Sequence, residues 1–108
     1  MDLEDVTQVY HEVNNIDHVY HCAAIVSFSK KQRTKMQNIN IKGTANIVNA
    51  CLENNIKKLG YISSVAAIGR KGNNTYTEKN NWVKSSDNSY YAISKHKAEN
   101  EIWRGIQE

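Results

Sequence analysis

Two short apolar runs, each set between helical patterns, constrain the fold more than any other feature of the chain. The first is His18-Val19-Tyr20-His21-Cys22-Ala23-Ala24-Ile25-Val26, and the second is Lys58-Leu59-Gly60-Tyr61-Ile62-Ser63-Ser64. Before the first, Leu3, Val6, Val9, Tyr10 and Val13 recur at helical spacing. Between the two, Met36, Ile39, Gly43, Ile47, Val48, Cys51 and Leu52 form one stripe. After the second, a helix is predicted over residues 89–106, with Tyr91, Lys95, Ala98, Ile102 and Ile106 on one face. The order helix-strand-helix-strand-helix implies an α/β fold with a parallel sheet and right-handed crossovers. The first run does not alternate cleanly, which predicts a strand over about 17–23, buried on both faces. Asp5 with Gln8 fits a capping box, and Asn14-Asn15 and Asn54-Asn55 are predicted to end the two earlier helices. Gly43 inside a helix predicts close packing against another backbone. Residues 67–88 are polar and hold Gly69 and Gly72, and they read as a long loop.

The chain has 108 residues, enough for one small domain. Its 40% hydrophobic and 23% charged residues are the balance of a globular chain rather than a disordered one. The net charge of +3 is spread along the chain. The densest basic run, Ser29-Lys30-Lys31-Gln32-Arg33-Thr34-Lys35, has no aromatic residues interleaved to stack bases, so it reads as a solvated helix start and no nucleic-acid partner is expected. No leader or membrane span is evident, and no membrane partner is expected. Cys22 and Cys51 read as reduced thiols of a cytoplasmic protein. The four histidines have no ligand partners at metal spacing, so no metal site is expected.

In a parallel α/β sheet the ligand sits beyond the carboxyl ends of the strands. Three features converge on that edge: Cys22-Ala23-Ala24, Ser63-Ser64, and the pair Tyr91 and Lys95. A free phenol has a pKa near ~10 and is a poor proton donor at pH 7. A cation one helical turn away favours the phenolate. Of the six tyrosines only Tyr91 has a lysine four residues on. The competing reading is a surface helix carrying a Tyr and a Lys. For Ser63 and Ser64 it is two hydroxyls capping local backbone, and for Asn40 a buried amide satisfied by backbone.

The order of these features resembles the extended short-chain dehydrogenase/reductase family, also described as the NAD-dependent epimerase/dehydratase family. Asp2-Leu3 is similar to its acidic dipeptide that contacts the adenine. Val19 to Ala24 is similar to the strand whose small-residue end lies along the cofactor. Asn40-Ile41-Lys42-Gly43-Thr44 resembles its Asn-x-x-Gly-Thr signature, Tyr61 to Gly69 its serine-bearing strand, and Tyr91 to Lys95 its Tyr-x-x-x-Lys motif. Glu78, Trp82 and the tail Glu99-Asn100-Glu101-Ile102-Trp103-Arg104 lean towards its dihydroflavonol-reductase-like and hydroxysteroid-dehydrogenase-like branch.

The resemblance implies an enzyme that couples proton transfer to hydride transfer on a hydroxyl or carbonyl of a small-molecule substrate, with NAD or NADP as cofactor. Tyr91 would be the acid/base and Lys95 the holder of the nicotinamide ribose. Ser64 would bond the substrate oxygen, with Ser63 as runner-up, and Asn40 would support the site. Asp2, Leu3, Cys22, Ala23, Ala24 and Lys95 would line the cofactor. The five glycines form no Gly-x-x-Gly-x-x-Gly turn of the kind that cradles a pyrophosphate. Residues 1–108 therefore read as a fragment of one NAD(P)-binding Rossmann-like domain: a partial, doubly wound parallel sheet without the family's first strands or its C-terminal substrate domain. By itself such a piece is expected to be inactive, and to form homo-oligomers or pair through open sheet edges. The alternative is an inactive remnant or a partner-completed binding module.

Overall fold

A computed structural model describes residues 1–69, 82, 84 and 88–108. Helix α1 (Val6–Val13) leads into strand β1 (His18–His21). A 3-10 turn (Lys30–Gln32) opens a continuous helical rod made of α2 (Arg33–Met36), a π-helical stretch (Gln37–Lys42) and α3 (Gly43–Glu53). Strand β2 (Lys58–Tyr61), a second 3-10 turn (Val65–Ile68) and α4 (Tyr90–Gln107) follow. The strands pair in parallel, with His18 opposite Lys58 and His21 opposite Tyr61. The ladder runs one bond further, where the Ile62 N–H donates to the His21 carbonyl at 3.2 Å. The α/β parallel architecture is the one the alternation of patterns implies.

Both helix-to-strand junctions use the same device. Asn15 and Asn55 adopt left-handed backbone, with φ of 63° and 53°. Asparagine tolerates that region better than most L-residues and so ends a helix cleanly. Each is followed by an isoleucine and then a strand. The Asp5 carboxylate caps α1 by accepting from the Gln8 N–H at 3.1 Å. The reciprocal half of a capping box does not form, because the Gln8 side chain accepts from the Asp2 N–H instead.

Burial corrects two expectations and shows how much of each helical stripe is covered. Strand β1 is not buried on both faces among the described residues: Val19 and His21 face the helices, while Tyr20 is 73% exposed. Its ring lies across Gly60 on the opposite strand, where a Cβ would come within 2.8 Å of it. In α1, Val9 and Val13 are buried but Val6 and Tyr10 are exposed, since among the described residues this short helix packs mainly on α3 and buries a single stripe. Ile106 and Leu52 are likewise exposed. Gly43 meets a side chain rather than a backbone: a Cβ there would sit 3.1 Å from the Cβ of Leu3. The apolar core joins Leu3, Val9, Val13, Ile47, Ala50 and Cys51, with Val19, Ile39, Ile56 and Leu59 packed against it.

Candidate active site

The carboxyl ends of β1 and β2 face the first turns of α4. Ser89 caps α4, its hydroxyl accepting from the Ala92 N–H at 3.1 Å. That start places Tyr91 and Lys95 on successive turns. Tyr91 is half-buried and Lys95 is 4% exposed. The Lys95 ammonium donates to the Ile62 carbonyl at 3.0 Å, just beyond the end of β2. It also lies 4.7 Å from the centre of the Tyr61 ring. Burial lowers the Lys95 pKa, and the nearby Glu99 carboxylate partly offsets this.

Ser64 caps the 3-10 turn, its oxygen accepting from the Ala66 N–H at 3.1 Å. A hydroxyl can accept one bond and still donate its proton, so this capping leaves Ser64 a donor. Ser63 is exposed and donates to Glu99 at 2.5 Å. Asn40, 1% exposed, sits in the π-helical stretch. Its oxygen accepts from the Ile25 N–H at 2.8 Å, and its amide donates to the Ile25 carbonyl at 2.9 Å and to the Ser94 hydroxyl at 3.0 Å. Ser94 in turn donates to the Tyr91 carbonyl at 2.8 Å. One amide thus ties the segment after β1 to the turn of α4 between Tyr91 and Lys95. The wide turn is visible in the Gly43 N–H, which donates to the Asn38 carbonyl five residues back. Such stretches often accompany functional sites.

A second chain of bonds lies beneath. The Thr44 hydroxyl donates to the Asn40 carbonyl at 2.7 Å, which uses its only proton. The 2.8 Å contact from His21 Nε2 to Thr44 Oγ1 must therefore be a donation by the imidazole. Burial, with Lys95 nearby, pushes the His21 pKa down to about 4, so the ring is neutral. His21 packs against Tyr61 with ring centres 5.6 Å apart. Desolvation first, then Glu99 and Tyr91, pushes the Tyr61 pKa up to about 12. Its hydroxyl is buried and has no hydrogen-bond partner among the described residues.

Cys22, Ala23 and Ala24 are exposed directly after β1, where their small side chains leave the backbone approachable. Leu3 is placed differently: its side chain is buried in the core and its carbonyl accepts from Asn46 at 2.8 Å, while Asp2 stays exposed. Trp82 stacks on His96 of α4 with ring centres 4.1 Å apart. Glu78 and most of the 67–88 loop lie outside the described residues. No metal-binding group of His, Cys, Asp and Glu occurs among the described residues, and no described helix is long and apolar enough to cross a membrane. Sequence reasoning missed Ser94, Tyr61, Thr44 and Glu99. The signals were Ser94 adjoining the lysine and Glu99 one turn after it.

The fold and the order of its motifs define an extended short-chain dehydrogenase/reductase of the epimerase/dehydratase type. Within that class the chain belongs to the 3-beta hydroxysteroid dehydrogenase/isomerase family, whose model it matches over residues 1–105. A relative from Monkeypox virus, named 3 beta-hydroxysteroid dehydrogenase/Delta 5-->4-isomerase, is 33% identical over 91% of this chain and 29% of its own length. Among solved structures, a dTDP-glucose 4,6-dehydratase from Streptomyces venezuelae with NAD bound superposes with a TM-score of 0.86, at 19% identity, over 99% of this chain and 33% of that one. A UDP-N-acetylglucosamine 4-epimerase from Methanobrevibacter ruminantium matches at 28% identity and a TM-score of 0.83, over 100% of this chain and 34% of that one. The chain thus spans about a third of the length of these relatives.

Proposed function

We propose that this chain forms the centre of the active site of an NAD(P)-dependent dehydrogenase acting on a secondary hydroxyl or its ketone. The family makes a 3β-hydroxysteroid the first substrate to try. The observation that carries the reading is the Lys95 ammonium, buried at the carboxyl end of β2 on the turn after Tyr91 and facing the segment that bears Ser64. An ammonium has three N–H donors, and Lys95 makes one hydrogen bond among the described residues. It therefore keeps donors for a ribose diol, and the approachable backbone after β1 suits a flat ligand. Lys95 and the residues after β1 would hold the cofactor, which when bound supplies the hydride acceptor. Tyr91 takes the hydroxyl proton as the carbinol carbon is oxidised. Ser64 donates to the substrate oxygen while its own oxygen is fixed by Ala66. Asn40 holds the turn of α4 in place through Ser94.

A second reading, in which strands from another chain complete the fold, is favoured by the two-stranded sheet, whose outer edges pair with no further strand among the described residues.

The test is a chimera in which this chain replaces the matching third of its Monkeypox virus relative. Tyr91→Phe keeps the ring and removes the hydroxyl, so turnover should fall by ~10²–10⁴-fold with folding intact. Tyr90→Phe is the control. Its ring lies under the Arg33 guanidinium at 5.5 Å, a contact phenylalanine keeps. A silent Tyr91→Phe beside a damaging Tyr90→Phe would falsify the assignment.

A further inference from the structure

We propose that Tyr61 is a positioning residue for Lys95, its ring and the Ile62 carbonyl forming a two-point cradle that fixes the ammonium. Its consequence for turnover rests on the function proposed above; the cradle itself does not.

A lysine stem is long and flexible, and its ammonium is a compact charge with no preferred direction of its own. Here two consecutive residues of one strand end constrain it. Ile62 offers its carbonyl at 3.0 Å. Tyr61 offers a ring face, with the ammonium 4.7 Å from its centre. That distance lies inside the range where an aromatic quadrupole attracts a cation, and desolvation strengthens the attraction. Lys95 is 4% exposed, so this contact is poorly screened.

The hydroxyl of Tyr61 does not explain the arrangement. It is buried without a partner among the described residues, and its high pKa keeps it neutral, so it is not a second acid/base. The ring is what Lys95 meets. Its orientation is set in turn by His21, which packs on it and is held by Thr44, whose hydroxyl is fixed on the Asn40 carbonyl. Neutral His21 adds no competing cation. The cradle therefore continues, through His21 and Thr44, the network that holds Tyr91.

The test separates ring from hydroxyl. Tyr61→Phe keeps the π face. Trifluorophenylalanine at position 61 keeps the shape but weakens that face, and Tyr61→Leu removes it. In the 108-residue chain, the side-chain NMR signals of Lys95, assigned with Lys95→Arg, report the ring-current shift and the ammonium titration. The Phe variant should retain both. The Leu variant should lose the ring-current shift, and its Lys95 pKa should fall by roughly one, a tenfold weaker hold on the proton. The fluorinated variant should fall between them, and it answers the question even where Leu prevents folding. In the chimera, Leu should raise the cofactor KM about tenfold and Phe should leave it within about twofold. Equal titration in the Phe and fluorinated variants would overturn the cradle, as would a Phe variant as impaired as Leu. If the Lys95 signals respond as expected but Tyr91→Phe stays active, the cradle stands and the proposed function fails.

Discussion

One helical rod serves two unlike halves of the molecule. Towards α1 it presents Ile47, Ala50 and Cys51, which pack with Leu3, Val9 and Val13 into an apolar cluster. Towards α4 and the strand ends it presents Asn40 and Thr44, which join His21, Ser94 and Lys95 as the buried polar residues among the described ones. The apolar half is held by burial, which is non-directional and tolerates modest rearrangement. The polar half is held by bonds that work only when both partners are in place, since a buried group left unpaired costs its desolvation. The first half supplies stability. The second fixes where Tyr91 and Lys95 stand.

The sharpest test removes mass from the apolar half. Ile47 is 2% exposed. Ile47→Ala should cost ~2–5 kcal/mol, through lost transfer energy and the cavity left behind. Denaturant titration would measure it. The Lys95 signals of the folded fraction should not move. If they do, the two halves are coupled rather than separate.

Acid tests the polar half. The folded His21 pKa is about 4 and the unfolded value is 6.5. The native state therefore binds fewer protons than the unfolded state between these values. Its contribution is fully present above the unfolded value and is lost as pH falls from 6.5 to about 4. The loss should be on the order of 3 kcal/mol. His96 is lowered as well, mainly by burial, and adds in the same direction. Stability curves at pH 7 and pH 4.5 should diverge for the wild type, and His21→Gln should remove most of the difference. An undiminished difference would place the acid sensitivity elsewhere.

Asn40→Ala should cost ~1–3 kcal/mol, because Ile25 and Ser94 lose their partners but Ile25 is only partly buried and water can replace some of the bonds. Thermal unfolding would show it. A loss as small as that of a surface substitution would mean that the network is not what orders this half.

The Tyr91–Lys95 pair was legible because helical spacing alone brings residues four apart to one face. The alternation of runs likewise fixed the parallel pairing. Other features depended on contacts distant in sequence. Residues 37–42 read as ordinary helix, since the wide turn there accompanies an amide bonded to Ile25, fifteen residues away. Tyr61 faces inward only because the ladder pairs it with His21. Val6 and Tyr10 fit the helical stripe and are exposed, because among the described residues α1 packs mainly on α3. Periodicity says which residues share a face, not what covers it. The solvent face of β1 was misread for the same reason: a run of apolar residues says that a strand can be buried twice, not that it is.

The smallest effect is expected where charge meets water. Asp17 and Lys57 form an ion pair at 3.8 Å, with side chains 75% and 74% exposed. They stand just before the two strands, the place for a pair to staple the sheet. The backbone does that instead: the Lys57 N–H donates to the Asp17 carbonyl at 3.0 Å, and alanine at either position keeps it. Exposed pairs gain little Coulomb energy and lose side-chain freedom, so Asp17→Ala should change stability by less than about 1 kcal/mol. A double-mutant cycle with Lys57→Ala should give a coupling of about 0.5 kcal/mol or less, vanishing in ~1 M salt. A salt-resistant coupling well above about 1 kcal/mol would show that burial is not what separates strong polar contacts from weak ones in this chain. The contrast drawn between its two halves would then need another cause.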